Sequence, residues 1–394
     1  MESPWKPFLR ENMLDPYPMY KELRENDPIH QSRTGEWVIT RYEDAKAILK
    51  DDRFIVGNRA EWLSKAATQH MDKWESFAVI IDALRSFLVF KNPPDHALLR
   101  KFIMQAWNSR EVDQIINENI EKLFSTIDPS HFDVVSQLAT PLPAMTMARI
   151  FGLPTSDYQY LEDLSHKMIQ SLDLYLTFRQ IKKMEDATKA FIAYFEKHAA
   201  IKLAKPDDGL LSRLIQLNKE SKTIPHHELI ANCFFLFISG EETTAGLIEL
   251  GLYHLITNNK LNPGIQDTAN TAIEEILRYD SPLQIVVRIA SEDVELGKQK
   301  IVAGSAVTIC LGAANRDPEK FQQPNELLLS RTPNHHLSFG SGVHRCLGDW
   351  LAKKEFELLL NYLGRYDSFK IAKEPVWKEN MNMRSFQSFA ISCE

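Results

Sequence analysis

The sequence predicts a mainly α-helical fold with small antiparallel β-sheets, and three observations carry that reading. Apolar residues recur at three- and four-residue spacing along most of the chain, the period of a helix with one buried face. Strand-like alternation is confined to a few short runs. Most of the 19 prolines fall between these segments, as in NPPDH and YDSPL, where they end elements instead of breaking them.

In chain order, EWVITR (36–41) reads as a strand and YEDAKAILKD (42–51) as the helix after it. HALLRKFIMQAW (96–107), IINENIEKLFSTI (115–127) and MEDATKAFIAYFEKHAA (184–200) repeat the helical spacing. NCFFLFISGEETTAGLIELGLYHLI (232–256) is apolar nearly all round at both ends, the mark of a buried helix. IVVRIA (285–290) reads as a strand, and VELGKQKIVAGSAVTI (294–309) as a strand pair with Gly297 at its hairpin. DWLAKKEFELLLNYLG (349–364) is helical again. No repeat and no linker rich in Gly and Ser divides the chain, so residues 1–394 are expected to form a single domain.

A balance of 44% hydrophobic and 25% charged residues is that of a globular protein. The formal charge of −7 argues against a nucleic-acid binder, which needs a basic face. The first residues carry Glu2, Lys6, Arg10 and Glu11, with neither a signal peptide nor a membrane anchor among them. A cytoplasmic monomer is expected. Cys233, Cys310, Cys346 and Cys393 are scattered without a CxxC pair, so any cysteine chemistry comes from one thiol acting alone.

FGSGVHRCLG (339–348) places one of these thiols where a glycine-rich loop turns into a helix. Gly340, Gly342 and Gly348 are each free to adopt positive φ. Cys346 is expected in the first turn of a helix beginning near Leu347, where unpaired N–H groups and the helix dipole favour thiolate. Against this stand a cysteine that merely fills space, a nucleophilic dyad with His344, and a zinc site from His335, His336, His344 and Cys346.

The second unusual stretch is SGEETT (239–244) inside the apolar helix. A buried carboxylate is heavily penalised, and each glycine in a helix interior costs about 1 kcal/mol relative to alanine. The spacing predicts a local opening at Gly240, with an acid and an alcohol able to hand protons to a small bound molecule. The alternative is a solvent-facing stripe of Glu241, Thr244 and Ile248.

Taken together these stretches resemble the cytochrome P450 family. FGSGVHRCLG matches its cysteine-ligand signature at Phe339, Gly340, Gly342, His344, Cys346 and Gly348. SGEETT matches its oxygen-activation motif, with Glu242 as acid and Thr243 as alcohol. EEILR supplies the ExxR pair Glu275 and Arg278, and NPPDHALLR contributes His96 and Arg100. WVITRYEDAKAILKD, IFGLP, LRYDSPLQ, VVRIA, ANRDPEKF and LAKKE follow in the family's order, so the likeness spans essentially the whole chain.

The resemblance implies an α-rich triangular prism around a buried heme b, with Cys346 as the axial iron ligand and Phe339 packed beneath the macrocycle. It implies His96, Arg100, Arg288 and His344 as partners of the heme propionates, with Phe339 and Gly348 also against the cofactor. Glu275 and Arg278 become a buried structural pair reaching toward residues 325–331. The implied activity is monooxygenation: O2 binds iron opposite Cys346, and Glu242 and Thr243 pass protons to it. A ferredoxin with its reductase, or a flavodoxin, would supply electrons, docking on Lys101, Arg345, Lys353 and Lys354.

A hydrophobic guest is expected along residues 57–90, 172–178, 283–287 and 383–389, in particular beside Leu283, Ile285, Val286 and Phe386. A peroxide-dependent heme-thiolate enzyme and a non-catalytic heme-binding protein are the alternatives; keeping both Glu242 and Thr243 favours oxygen activation. Asn92, Lys354 and Ser385 depart from the family pattern.

Overall fold

The structure, a computed structural model, describes residues 3–68, 77–108, 110–172 and 176–394. The chain divides into two compact units. One comprises Met1–Gly57, Lys122–Ala139 and Thr243–Glu394, and the other Asn58–Glu121 and Thr140–Glu242.

The first unit holds all the strands found among the described residues. Its main sheet has five, in the order Ile29–Gln31, Trp37–Ile39, Ala306–Cys310, Ile285–Ala290, Phe54–Ile55. Pairing is antiparallel except between Trp37–Ile39 and Ala306–Cys310, which are parallel and far apart in sequence. A long crossover of that kind is what a parallel pair requires. One apolar cluster gathers Trp37, Ile39, Tyr42, Ile48, Phe54, Val307, Ile309 and Phe321. The expected hairpin is present: Val294–Leu296 pairs with Gln299–Ile301, and Gly297 turns at φ +59.

The second unit is helical. Helix Phe178–Ala204 begins six residues before its clearest apolar periodicity, because Thr177 and Gln180 form a capping box at its start. Ile181, Met184, Thr188, Phe191, Phe195 and Ala199 then bury one face at three- and four-residue steps. Helices Pro141–Phe151 and Tyr158–Met168 pack alongside; Leu161, Leu164, Ser165 and Met168 form the buried face of the latter.

The boundary between the units falls between Glu242 and Thr243, inside helix His226–Thr257. That helix is unbroken, so the opening expected at Gly240 is absent. Gly240 serves close approach instead: a Cβ there would lie 2.7 Å from Met147 Sδ on helix Pro141–Phe151. The solvent-facing stripe is also absent, since Glu241, Thr244 and Ile248 are all buried.

Candidate active site

Three of the four cysteines are held as unreactive thiols. Burial raises the pKa of Cys233, of Cys310 (with a smaller contribution from Glu36) and of Cys393, the last to about 11. Cys346 is the exposed one. Its N–H donates to Phe339 O at 2.9 Å, and Gly340 N–H donates to Leu337 O at 2.7 Å, which folds the loop back on itself. Gly340 and Gly342 take φ +69 and +73, whereas Gly348 does not adopt positive φ. At Gly342 no side chain fits, because a Cβ would stand 2.3 Å from Leu49 O.

The helix starts later than expected, at Asp349 with Gly348 as its N-cap, so Cys346 precedes the first turn instead of lying in it. The loop's own hydrogen bonds set its position. The zinc arrangement is not assembled: His336 donates through Nε2 to Glu274 at 2.7 Å and accepts at Nδ1 from Ser338 N–H at 3.2 Å. Among the described residues no group of His, Cys, Asp and Glu is placed to hold a bare metal ion.

Glu275 and Arg278 meet on helix Ala269–Tyr279 with no solvent access to either side chain. Glu275 also accepts from Leu328 N–H, Arg331 Nε and Asn334 Nδ2 at 2.8, 2.9 and 3.1 Å. Arg278 donates to the carbonyls of Asn315, Pro324 and Glu326 at 3.0, 2.8 and 3.0 Å. The pair thus holds the segment before the cysteine loop.

Arg288 lies in strand Ile285–Ala290, paired with Val307, and is 8% exposed. It donates to the Val287 carbonyl, and among the described residues no carboxylate forms an ion pair with it. Burial alone lowers its pKa to about 10. A buried guanidinium without an anion is a poor use of charge unless a ligand brings one. A heme, the group the motifs imply, would bring one with its propionates. An exposed thiol on a backbone-defined loop, and open space around the Gly348 Cα, suit the same group. In the other unit, His96 is buried and Arg100 half-buried on helix Asp95–Ala106. Phe339 and His344 are half-buried in the cysteine loop.

On helix His226–Thr257, Glu242 and Thr243 are half-buried, while Glu241 is fully buried. Glu242 Oε1 lies 3.3 Å from Nδ1 of His166. Leu283 and Val286 are half-buried and Ile285 is buried; Leu283 bridges to Met383, and Val286 packs on the sheet's apolar cluster. Phe386 is enclosed by the rings of Tyr253, Trp377 and Phe389, a core setting. Residues 69–76 and 173–175 of the expected pocket segments lie outside the described residues. Of the expected docking cations, Arg345 is bound to Asp349, Lys353 to Glu274 and Lys354 to Glu357, so each has a carboxylate beside it.

Two features escaped the sequence reading. Asp280 accepts from Tyr17 Oη and Arg384 Nε at 2.8 and 2.7 Å and meets His254 at 2.9 Å. Burial alone would raise its pKa, but Arg384, His254 and Arg316 outweigh burial and hold it well below the usual range. The other is His166, whose only signal was a histidine beside the buried face of an amphipathic helix.

The family model described as Cytochrome P450 matches residues 29–269 and 267–386. The chain is 32% identical over 366 residues to the biotin biosynthesis cytochrome P450 of Bacillus subtilis (strain 168), covering 90% of this chain and 89% of that one. It is 29% identical over 361 residues to the mycinamicin IV hydroxylase/epoxidase of Micromonospora griseorubida, covering 87% and 86%. Among solved structures it resembles P450BioI in complex with hexadec-9Z-enoic acid ligated acyl carrier protein. There the TM-score is 0.88 at 30% identity, over 98% of this chain and 100% of that one.

Proposed function

The chain belongs to the cytochrome P450 family, a heme b monooxygenase class, and from that premise we propose that it oxidises a hydrophobic small molecule of secondary metabolism by hydroxylation or epoxidation. Residues 1–394 act as one functional domain in this reading. The protein works in the cytoplasm as a monomer, with electrons from a ferredoxin and its reductase or from a flavodoxin.

The observation that carries the reading is Cys346, the exposed thiol in a glycine loop pinned at Gly342, where only backbone fits. Heme bound through a thiolate supplies the oxygen-activating chemistry. The chain supplies the rest. Cys346 would ligate the iron, and Phe339 would shield that face from water. Arg288, His96, Arg100 and His344 would partner the propionates, and Gly348 would leave space against the ring. Glu242 passes protons inward and Thr243 presents its hydroxyl as the next donor. Leu283, Ile285, Val286 and Phe386 offer the guest an apolar wall. The solved relative that holds a hexadecenoyl chain supports a hydrophobic guest.

The reduced carbon-monoxide spectrum tests the assignment. We expect the red-shifted band of a thiolate-ligated heme, lost in Cys346→His; a histidine-type band in the unaltered protein overturns it. Thr243→Ala then separates an enzyme from a carrier. Product per electron donor consumed should fall while heme binding stays; unchanged product formation overturns the role of Thr243. For the electron donor, reversing the charges of Arg345 and Lys353 should slow reduction at constant substrate affinity. An unchanged reduction rate removes that face as the docking site.

A further inference from the structure

Buried carboxyls ordinarily have hydrogen-bond partners, because an unmatched polar group in the interior forfeits the bonds it had in water. Glu241 is an exception: it is fully buried, and among the described residues neither Oε1 nor Oε2 makes a well-formed hydrogen bond. Burial, and then the charge of Glu242, raise its pKa well above the carboxylate range; Glu162 adds to this, and the Ser165 hydroxyl offsets only part of it. Burial and the neighbouring charge thus favour the neutral acid at Glu241.

Glu242, the next residue, has another environment. Its side chain is 15% exposed, and its ion-pair partner among the described residues is His166, itself 57% exposed. Helix Tyr158–Met168 sets this division. Leu161, Leu164 and Met168 anchor it, Ser165 is turned inward beside Glu241, and His166 is left at the surface beside Glu242. Competing cations on the neighbouring elements are engaged elsewhere: Lys167 with Asp163, and Arg149, the one charged residue of helix Pro141–Phe151, with Glu118.

We propose that His166 is the entry point through which Glu242 receives protons from solvent. The imidazolium gives its Nδ1 proton to the Glu242 carboxylate, Glu242 passes a proton on to the Thr243 hydroxyl, and the imidazole takes up another from water, so that one proton moves inward per cycle and both groups are restored. Glu241 is a positioning residue: uncharged, it neither repels a carboxylate at Glu242 nor competes for the His166 proton. The proposal rests on reading Glu242 as the acid of the oxygen-activating pair.

The test uses the heme-loaded, full-length chain carrying His166→Gln or Glu242→Gln. His166→Gln should lower kcat by about a hundredfold, the low end of what a placed proton donor contributes, with KM and substrate affinity unchanged. Independently of turnover, the His166 imidazole titration followed by NMR should shift to lower pH in Glu242→Gln, because the paired carboxylate is gone. If His166→Gln turns over at the original rate while Glu242→Gln is slow, this proposal falls and the acid reading stands. If Glu242→Gln is itself unimpaired, the acid reading falls and takes the proposal with it. A His166 titration indifferent to Glu242 also overturns it.

Discussion

Arg278 grips Glu275 with two parallel hydrogen bonds, Nε to Oε2 and Nη2 to Oε1, each 2.8 Å long and closed to solvent. On an exposed helix the same spacing is worth only ~0.2–0.5 kcal/mol. Here desolvation is severe, and it is offset because six further hydrogen bonds use the remaining lone pairs and protons. Glu275→Gln should therefore cost ~3–5 kcal/mol in urea unfolding. Glu275→Gln with Arg278→Met should cost less than the two single changes added together. Additive losses would show that the pair is not coupled.

Arg288 makes a prediction of opposite sign in two states. Without heme its buried charge has no carboxylate partner among the described residues, so Arg288→Met should leave the apoprotein as stable or more stable, by roughly 1 kcal/mol. With heme the same change removes a propionate partner, and heme transfer to an acceptor protein should be faster. Slower or unchanged transfer would place the propionates elsewhere.

At Gly240 the helices meet without room for a methyl group, since the added Cβ would overlap Met147 Sδ, Cγ and Cε. Gly240→Ala should cost ~1–3 kcal/mol as overpacking. In the Met147→Ala background the same change should cost measurably less, because the opposing side chain is gone. Equal costs in both backgrounds would assign the loss to helix distortion instead.

Much of this site was legible in the sequence because its signals are local. FGSGVHRCLG carries its own backbone logic, and SGEETT stands out against the apolar residues around it. Gly240 shows where such reading stops. Its neighbour Met147 is 93 positions away, so a glycine required for helix contact read as a helix opening. Cys346 was placed within the helix for a related reason: Gly348 acts as N-cap at ordinary φ, which a glycine-rich pattern does not reveal. Asp280 and His166 were invisible because their partners come from other elements, and a lone Asp or His gives no spacing to count.

Two carboxyls should tilt the pH dependence of stability in opposite directions. Glu274 is subject to burial, which would raise its pKa, but His336 and Lys353 outweigh it and bring it from 4.5 to about 2. Below 4.5 the unfolded chain takes up a proton that the folded one refuses, so this stabilisation is present above pH 4.5 and is lost as pH falls toward 2. Glu241 is raised instead, so above 4.5 the folded chain keeps a proton that the unfolded one releases, and stability declines as pH rises. Chemical denaturation across pH should then separate the two. Glu274→Gln should flatten the acid limb only. Glu241→Gln should make the decline above pH 4.5 shallower, the remainder belonging to Glu355, which burial raises likewise, and should make the protein more stable at neutral pH, since an amide has no proton to retain. If Glu241→Gln leaves the neutral limb as steep as before, Glu241 is ionised in the folded protein, and the neutral acid beside Glu242 does not exist.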